Sequence, residues 1–283
     1  MISDQQTNLL YLADSLPKNY PIFYRRFEEL LKNCGVKTAF LPHTKDVWAV
    51  DFMPIQININ KFVQFIYNPP YLQSKKNLKT ISDVSTICKL IGIEPIKAKI
   101  ILDGGNVIRT TDKVILTDRI FSDNPTYDKK KLVKELHDYF EVDKLFLIPE
   151  QPKDFTGHSD GMVRFIDNQT IFINDYQDEN KKEVKQFIKA FEIAIHNTGL
   201  DYTKLPYNPY LNNNDVQANG YYINYLQMEN IIIIPIFGFK EDEIAVKQFE
   251  NIFNNHSIVT INSNEIANDG GVLNCISWNI LKP

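Results

Sequence analysis

Apolar residues along this chain recur at two alternating spacings. Near Ile22–Lys32, Phe23, Phe27, Leu30 and Leu31 lie three or four apart, which puts them on one face of a helix. A strand over Lys37–Leu41 follows, and then a polar loop that ends in Trp48 and Asp51. Two short strands come next, Ile55–Ile59 and Phe62–Tyr67, with Asn60 and Lys61 between them as a hairpin turn. A helix capped near Ser82 or Asp83 carries Val84, Ile87, Cys88 and Ile91 on one face and stops at Gly92. The strand Lys99–Leu102 then leads into the loop Asp103-Gly104-Gly105-Asn106.

That order of strand, strand, helix, strand and polar loop repeats. Val107–Thr110 and Val114–Thr117 make a hairpin, Lys130–Phe140 a helix burying Leu132, Leu136 and Tyr139, and Leu145–Ile148 a strand before Gly157-His158-Ser159-Asp160. Met162–Ile166 and Thr170–Ile173 are the next hairpin, turning at Asn168. A helix with Val184, Phe187, Ile188 and Phe191 follows, then a strand near Tyr202–Leu205 and an asparagine-rich loop from 208 to 219. The last full unit has strands Tyr221–Leu226 and Ile231–Ile234, a helix with Val246, Phe249 and Phe253, and the strand Ile258–Ile261. Cys275–Ile280 then opens a hairpin with no partner downstream, so its partner is Asn8–Leu12. Five units with the fifth shared between the two ends describe a closed ring in one α/β domain over residues 1–283.

A ring brings equivalent loops together on one side. The polar loops fall at near-equal steps, marked by Asp51, Asp103, His158 with Asp160, the Asn212 region, and Cys275. A thiol, an imidazole and three carboxylates therefore converge, each group of them delivered by a different repeat. A lone cysteine is more often a buried thiol than a nucleophile; this convergence marks Cys275 as the exception. Cys34 and Cys88 sit on or beside apolar helix faces and read as core. His43, His137, His196 and His256 have no metal-like spacing.

Composition narrows the field. At 283 residues, 43% apolar and 23% charged with net charge −4, the chain has no footprint for nucleic acid or an anionic membrane. The longest fully apolar run, Ile231–Ile234, is far too short to span a bilayer. Residues 1–17 hold no basic stretch followed by an apolar one, and three sparse cysteines suit a reducing compartment, so a cytoplasmic protein is expected.

The set Trp48-x-x-Asp51, Asp103-Gly104-Gly105-Asn106, Gly157-His158-x-Asp160 with Arg164-Phe165, and Gly270-Gly271 to Cys275 resembles the guanidino-group-modifying superfamily. Within it the pattern is most similar to the agmatine deiminases and bacterial peptidylarginine deiminases. The resemblance implies a five-bladed α/β propeller and a hydrolase that turns a guanidino into a ureido group through a covalent thiouronium intermediate. It implies Cys275, His158 and Asp103 as catalytic residues, and Asp51, Asp160, Trp48 and Arg164 as the substrate-binding set. A guanidinium is planar, permanently charged and pairs well with carboxylates, which suits two aspartates. No metal or other cofactor is called for, because nucleophile and electrophile are both supplied. The expected partner is a small-molecule or peptide guanidino substrate.

This chain departs from the agmatine deiminase pattern at four places. Val50 stands where an arginine is usual, Met53 where a glycine is, Asn274 where a histidine directly precedes the cysteine, and Asp103 where the carboxylate is usually glutamate. The last change resembles the amidinotransferase branch. Two alternatives therefore stand beside hydrolysis: amidino transfer to an amine, and a non-catalytic binding protein on the same fold.

Overall fold

The computed structural model describes residues 1–176 and 182–283. Its described residues form an α/β fold of five three-stranded sheets, each with one antiparallel and one parallel strand pair. In the first sheet β1 (Leu9–Ala13) is central, flanked by β2 (Thr38–Leu41) and by β15 (Ser277–Ile280). Leu10 faces Asn279 and Tyr11 faces Trp278, so the two end segments share one sheet, as the repeat pattern expects. The other sheets run in the same order: β3 (Ile55–Asn58), β4 (Lys61–Ile66) and β5 (Ile96–Ile101); then β6 (Ile108–Arg109), β7 (Lys113–Thr117) and β8 (Lys144–Ile148). They are followed by β9 (Val163–Phe165), β10 (Thr170–Asn174) and β11 (Asp201–Leu205), and by β12 (Leu226–Met228), β13 (Ile231–Ile236) and β14 (Ser257–Asn262).

In each unit a helix connects the central strand to its parallel neighbour, because a parallel connection needs a crossover. The helix Pro21–Asn33 buries Phe23, Phe27 and Leu31 against Leu10 and Leu12. Asp83 caps Val84–Leu90 by accepting from Thr86 N, and Asp128 caps Lys129–Phe140 by accepting from Lys131 N. Central strands are buried on both faces, which is why β7 and β13 read as continuous apolar runs. Apolar clusters between neighbouring units make up the core.

Two expectations need correction. Of the anticipated 221–226 strand only Leu226 is in β12; Tyr221 makes a single bridge to Tyr207, and residues 222–225 are turn and irregular backbone that deliver Asn224 inward. β15 begins at Ser277 rather than Cys275, so the cysteine sits in the turn before the strand. Gln177 to Lys181, ahead of the helix Lys182–Thr198, lie outside the described residues.

Candidate active site

Four loops and the turn before β15 meet at a cavity of about 230 Å³, with Trp48, Asp51, His158, Asp160, Asn224 and Cys275 in its wall. Asp51 comes from the short helix Ala49–Phe52, which follows directly on Trp48. Val50 N donates to Cys275 O at 3.3 Å, tying that helix to the cysteine turn. Asp103 and Gly105 come from the loop after β5, and Gly105 N donates to Asp51 Oδ1 at 3.0 Å. His158 and Asp160 come from the loop after β8. That loop is braced from β7, where Thr117 Oγ1 donates to Gly157 O at 2.6 Å. Asn106 Oδ1 accepts from Thr117 N at 2.9 Å and from Ser159 N at 3.2 Å, which explains the asparagine closing the Asp103–Asn106 motif.

The glycines are set by close approach. A Cβ on Gly105 would lie 2.5 Å from Asp51 Oδ1 and 2.7 Å from His158 Nδ1. One on Gly271 would lie 2.3 Å from the Trp48 ring and 2.9 Å from Cys275 Cβ. Neither gap admits a methyl group.

His158 is held on both ring nitrogens: Nε2 lies 3.3 Å from Asp103 Oδ2, and Nδ1 lies 3.5 Å from Asp51 Oδ1. Burial alone would lower its pKa, but Asp51, Asp103 and Asp160 outweigh burial and push it up to about 10. Burial pushes Asp51 up to about 8, with Asp103 and Asp160 adding and His158 opposing. Burial also raises Asp160, against the pull of His158, the Asn274 hydrogen bond and Arg164. Cys275 Sγ lies 3.6 Å from Asp160 Oδ2 and 3.5 Å from Asn224 Oδ1. Burial and the Asp160 and Asp51 carboxylates hold its thiol well above the usual range. Burial and the two carboxylates thus favour the protonated thiol, and a cation beside them would favour the thiolate.

The structure brings Cys275, His158, Asp51, Asp160 and Trp48 to one cavity, with Asp103 directly behind His158. Two expected members lie elsewhere. Arg164 is 2% exposed and outside this lining: its NH2 pairs with Asp4 Oδ2 at 2.7 Å, its NH1 donates to Tyr225 O at 3.2 Å, and its guanidinium stacks over the Tyr225 ring. So engaged, it lies outside the cavity, and its charge opposes the rise of the Asp160 pKa. Asn212 is not in the cavity wall either, and its Nδ2 donates to backbone carbonyls of Gln217 and Asn219 within its own loop.

The fourth repeat contributes Asn224 instead, which even spacing did not find. Its Nδ2 donates to Asp160 Oδ2 at 3.0 Å, and its Oδ1 accepts from Asn274 N at 3.1 Å. The available signal was the tyrosine-rich Tyr221-Tyr222-Ile223-Asn224-Tyr225 run, whose one polar side chain must pair if it is buried. Four further carboxylates, Asp46, Asp154, Asp215 and Asp269, stand around the same cavity; they were not singled out as site residues, although Asp269 directly precedes the Gly270-Gly271 pair.

Comparison with known proteins is consistent with this geometry. A family model described as Porphyromonas-type peptidyl-arginine deiminase matches residues 8–280. A protein of Mycoplasma mycoides subsp. mycoides SC, provisionally named an agmatine deiminase, is 24% identical over 222 residues, 68% of this chain. That match spans 60% of the Mycoplasma protein's own length. Among solved structures, the agmatine deiminase of C. jejuni superposes with a TM-score of 0.81 at 20% identity, covering 100% of this chain and 95% of that one. A serine variant of that enzyme with substrate bound gives 0.79 at 21% identity, covering 100% of this chain and 96% of that chain.

Proposed function

Because the chain belongs to the Porphyromonas-type peptidyl-arginine deiminase family, we propose that it is a cysteine-dependent deiminase of small guanidines that carry a second positive charge. The observation that carries this reading is the cavity itself: a thiol beside two buried carboxylates and an imidazole, with four more carboxylates around it. The same convergence, with the shared first sheet, supports reading residues 1–283 as one catalytic domain, a five-bladed α/β propeller.

Asp51 and Asp160 take the guanidinium nitrogens from two sides. The arriving cation offsets the carboxylates that hold the Cys275 proton, and that proton leaves to solvent. The thiolate attacks the central guanidinium carbon and forms a C–S bond. His158, held at Nε2 by Asp103, gives the Nδ1 proton to the departing nitrogen; the C–N bond breaks and ammonia leaves. The imidazole then takes a proton from water, whose oxygen attacks the thiouronium carbon. Collapse expels the thiolate and leaves the ureido product, so guanidinium plus water gives urea-type amide plus ammonium.

Trp48, packed on Gly271 beside the nucleophile, walls the cavity. Asp46, Asp154, Asp215 and Asp269 favour a protonated amine on the substrate's tail and disfavour the α-carboxylate of free arginine. Assay of agmatine, free arginine and a capped arginine peptide for ammonia and ureido product tests this. We expect agmatine to lead free arginine by about a hundredfold in kcat/KM, a difference of about 2.7 kcal/mol. Free arginine leading agmatine would overturn the specificity, and product formed only with an added amine would replace hydrolysis by amidino transfer.

A further inference from the structure

Asn274 directly precedes the cysteine and has no part in the steps above. It is buried, 8% exposed, and outside the cavity wall. Yet its Nδ2 makes the shortest hydrogen bond to Asp160, donating to Oδ2 at 2.7 Å. Asn224 Nδ2 donates to the same oxygen at 3.0 Å, and the Cys275 thiol points at it from 3.6 Å. Among the described residues no hydrogen bond reaches Asp160 Oδ1, and Asp160 stands in the cavity wall.

The orientation of both amides follows from their partners. A carboxylate only accepts, so the Asn274 atom facing it is the nitrogen. Asn224 Oδ1 takes the backbone N–H of Asn274 at 3.1 Å and of Cys275 at 3.4 Å, which leaves its nitrogen for Asp160. The Asn274 backbone N–H is therefore bound to the same asparagine that its side chain assists. Swinging the Asn274 side chain away would disconnect Asp160 from the cysteine turn on one of two sides.

The chemistry of the residue type matters as well. A histidine at this place, usual in the agmatine deiminase pattern, can carry a proton and a charge beside the nucleophile. An amide donates its N–H at every working pH and carries no charge. It can fix the carboxylate without itself helping to ionise the thiol, which leaves that task to the bound cation.

We propose that Asn274 is a positioning residue for deimination: it pins Oδ2 of Asp160 so that Oδ1 is the oxygen offered to the substrate. The proposal rests on the deiminase reading of this site. Its signature is a loss of grip, because Asp160 freed on one side turns and shares its charge between two directions.

The test uses Asn274→Leu, which keeps the branched outline and removes the donor, and Asn274→Ala, which removes the donor by truncation. Each is made in the full chain, alone for turnover and with Cys275→Ala for agmatine binding by calorimetry. The expected result is an agmatine Kd raised at least about tenfold over Cys275→Ala alone, the range for one lost charge-assisted hydrogen bond. In the active background KM should rise by more than kcat falls, while Tm stays close to that of the parent. A role in packing alone would leave Asn274→Leu with unchanged Kd and unchanged KM, and that result in either folded variant overturns the proposal. Should Asn274→Leu not fold, Asn274→Ala decides alone. An unaltered chain that releases no ammonia from any guanidine overturns the deiminase reading and this proposal with it. An active chain whose variants bind agmatine normally overturns only the role of Asn274.

Discussion

Side chains in this site divide by what they hold. Cys275→Ala should abolish turnover and leave folding intact. A positively charged alkylating reagent, which brings to the cavity the charge that favours the thiolate, should block activity through Cys275 ahead of the buried Cys88 and the half-buried Cys34; labelling led by Cys88 would contradict the assignment. Asp51→Asn and Asp160→Asn each remove one carboxylate from the proposed guanidinium grip. A charge-assisted hydrogen bond is worth about 1.5–3 kcal/mol, so kcat/KM should fall about ten- to a hundredfold or more. The double variant should lose less than the sum, because both carboxylates hold one planar group. Asp103→Asn differs in kind: agmatine binding to the Cys275→Ala background should survive, while kcat falls because His158 Nε2 loses its anionic partner. At this scale the sequence was legible wherever a motif gathered polar residues beside glycines. It was not legible at Asn224, which stands alone among tyrosines, nor at Arg164, whose motif membership said nothing of the Asp4 carboxylate that occupies it.

Elements were readable by period. The helix faces Phe23–Phe27–Leu31 and Leu132–Leu136 are where the spacing put them, since a stripe buried on one side leaves its mark in sequence. The segment before β12 was not, because the apolar and aromatic run 221–225 reads as a buried strand while being held by packing and turns. Apolar composition reports burial; it does not report whether a neighbouring strand is present to pair with the backbone. The same limit applies at Cys275, whose apolar followers suggested strand two residues too early. Loop geometry gives a sharper test than loop composition. Gly105→Ala should fold with activity reduced at least about tenfold, because the added methyl must displace Asp51 or His158 from a gap of 2.5–2.7 Å. Full activity in Gly105→Ala, measured beside Tm, would contradict the placement of these two loops.

For the whole molecule, the repeat made the fold legible: five similar units each need a neighbour, and the pairing of Leu9–Ala13 with Ser277–Ile280 is the economical answer. What no repeat could disclose is how the end segment is fastened. Asp4 meets Arg164 at 2.7 Å and Arg109 at 3.2 Å, joining the fourth and third sheets to residues ahead of β1. Asp4→Ala should cost about 3 kcal/mol in urea unfolding, since it leaves the nearly inaccessible Arg164 without its partner. The site also loads the fold electrostatically. Asp51 is held up to about 8 and His158 up to about 10, so between about pH 4 and about pH 10 this pair binds more protons in the folded chain than in the unfolded one. The Asp51 contribution is complete below the ordinary carboxylate range and lost as pH rises through about 8; the His158 contribution is complete below about 6.5 and lost through about 10. Stability should therefore fall with rising pH by up to about 1.4 kcal/mol per unit for each extra proton, and a bound guanidinium should restore more of it at pH 9 than at pH 6. Urea titrations of Cys275→Ala with and without agmatine at both pH values check the sign. The central claim, that Cys275 carries deimination through a covalent adduct, is tested most directly by rapid quenching with agmatine, followed by intact mass and peptide mapping. The account predicts a transient adduct on the peptide bearing Cys275, formed with one ammonia and absent in Cys275→Ala. Ammonia released by Cys275→Ala at the parent rate, or an adduct mapped to Cys34 or Cys88, would contradict it.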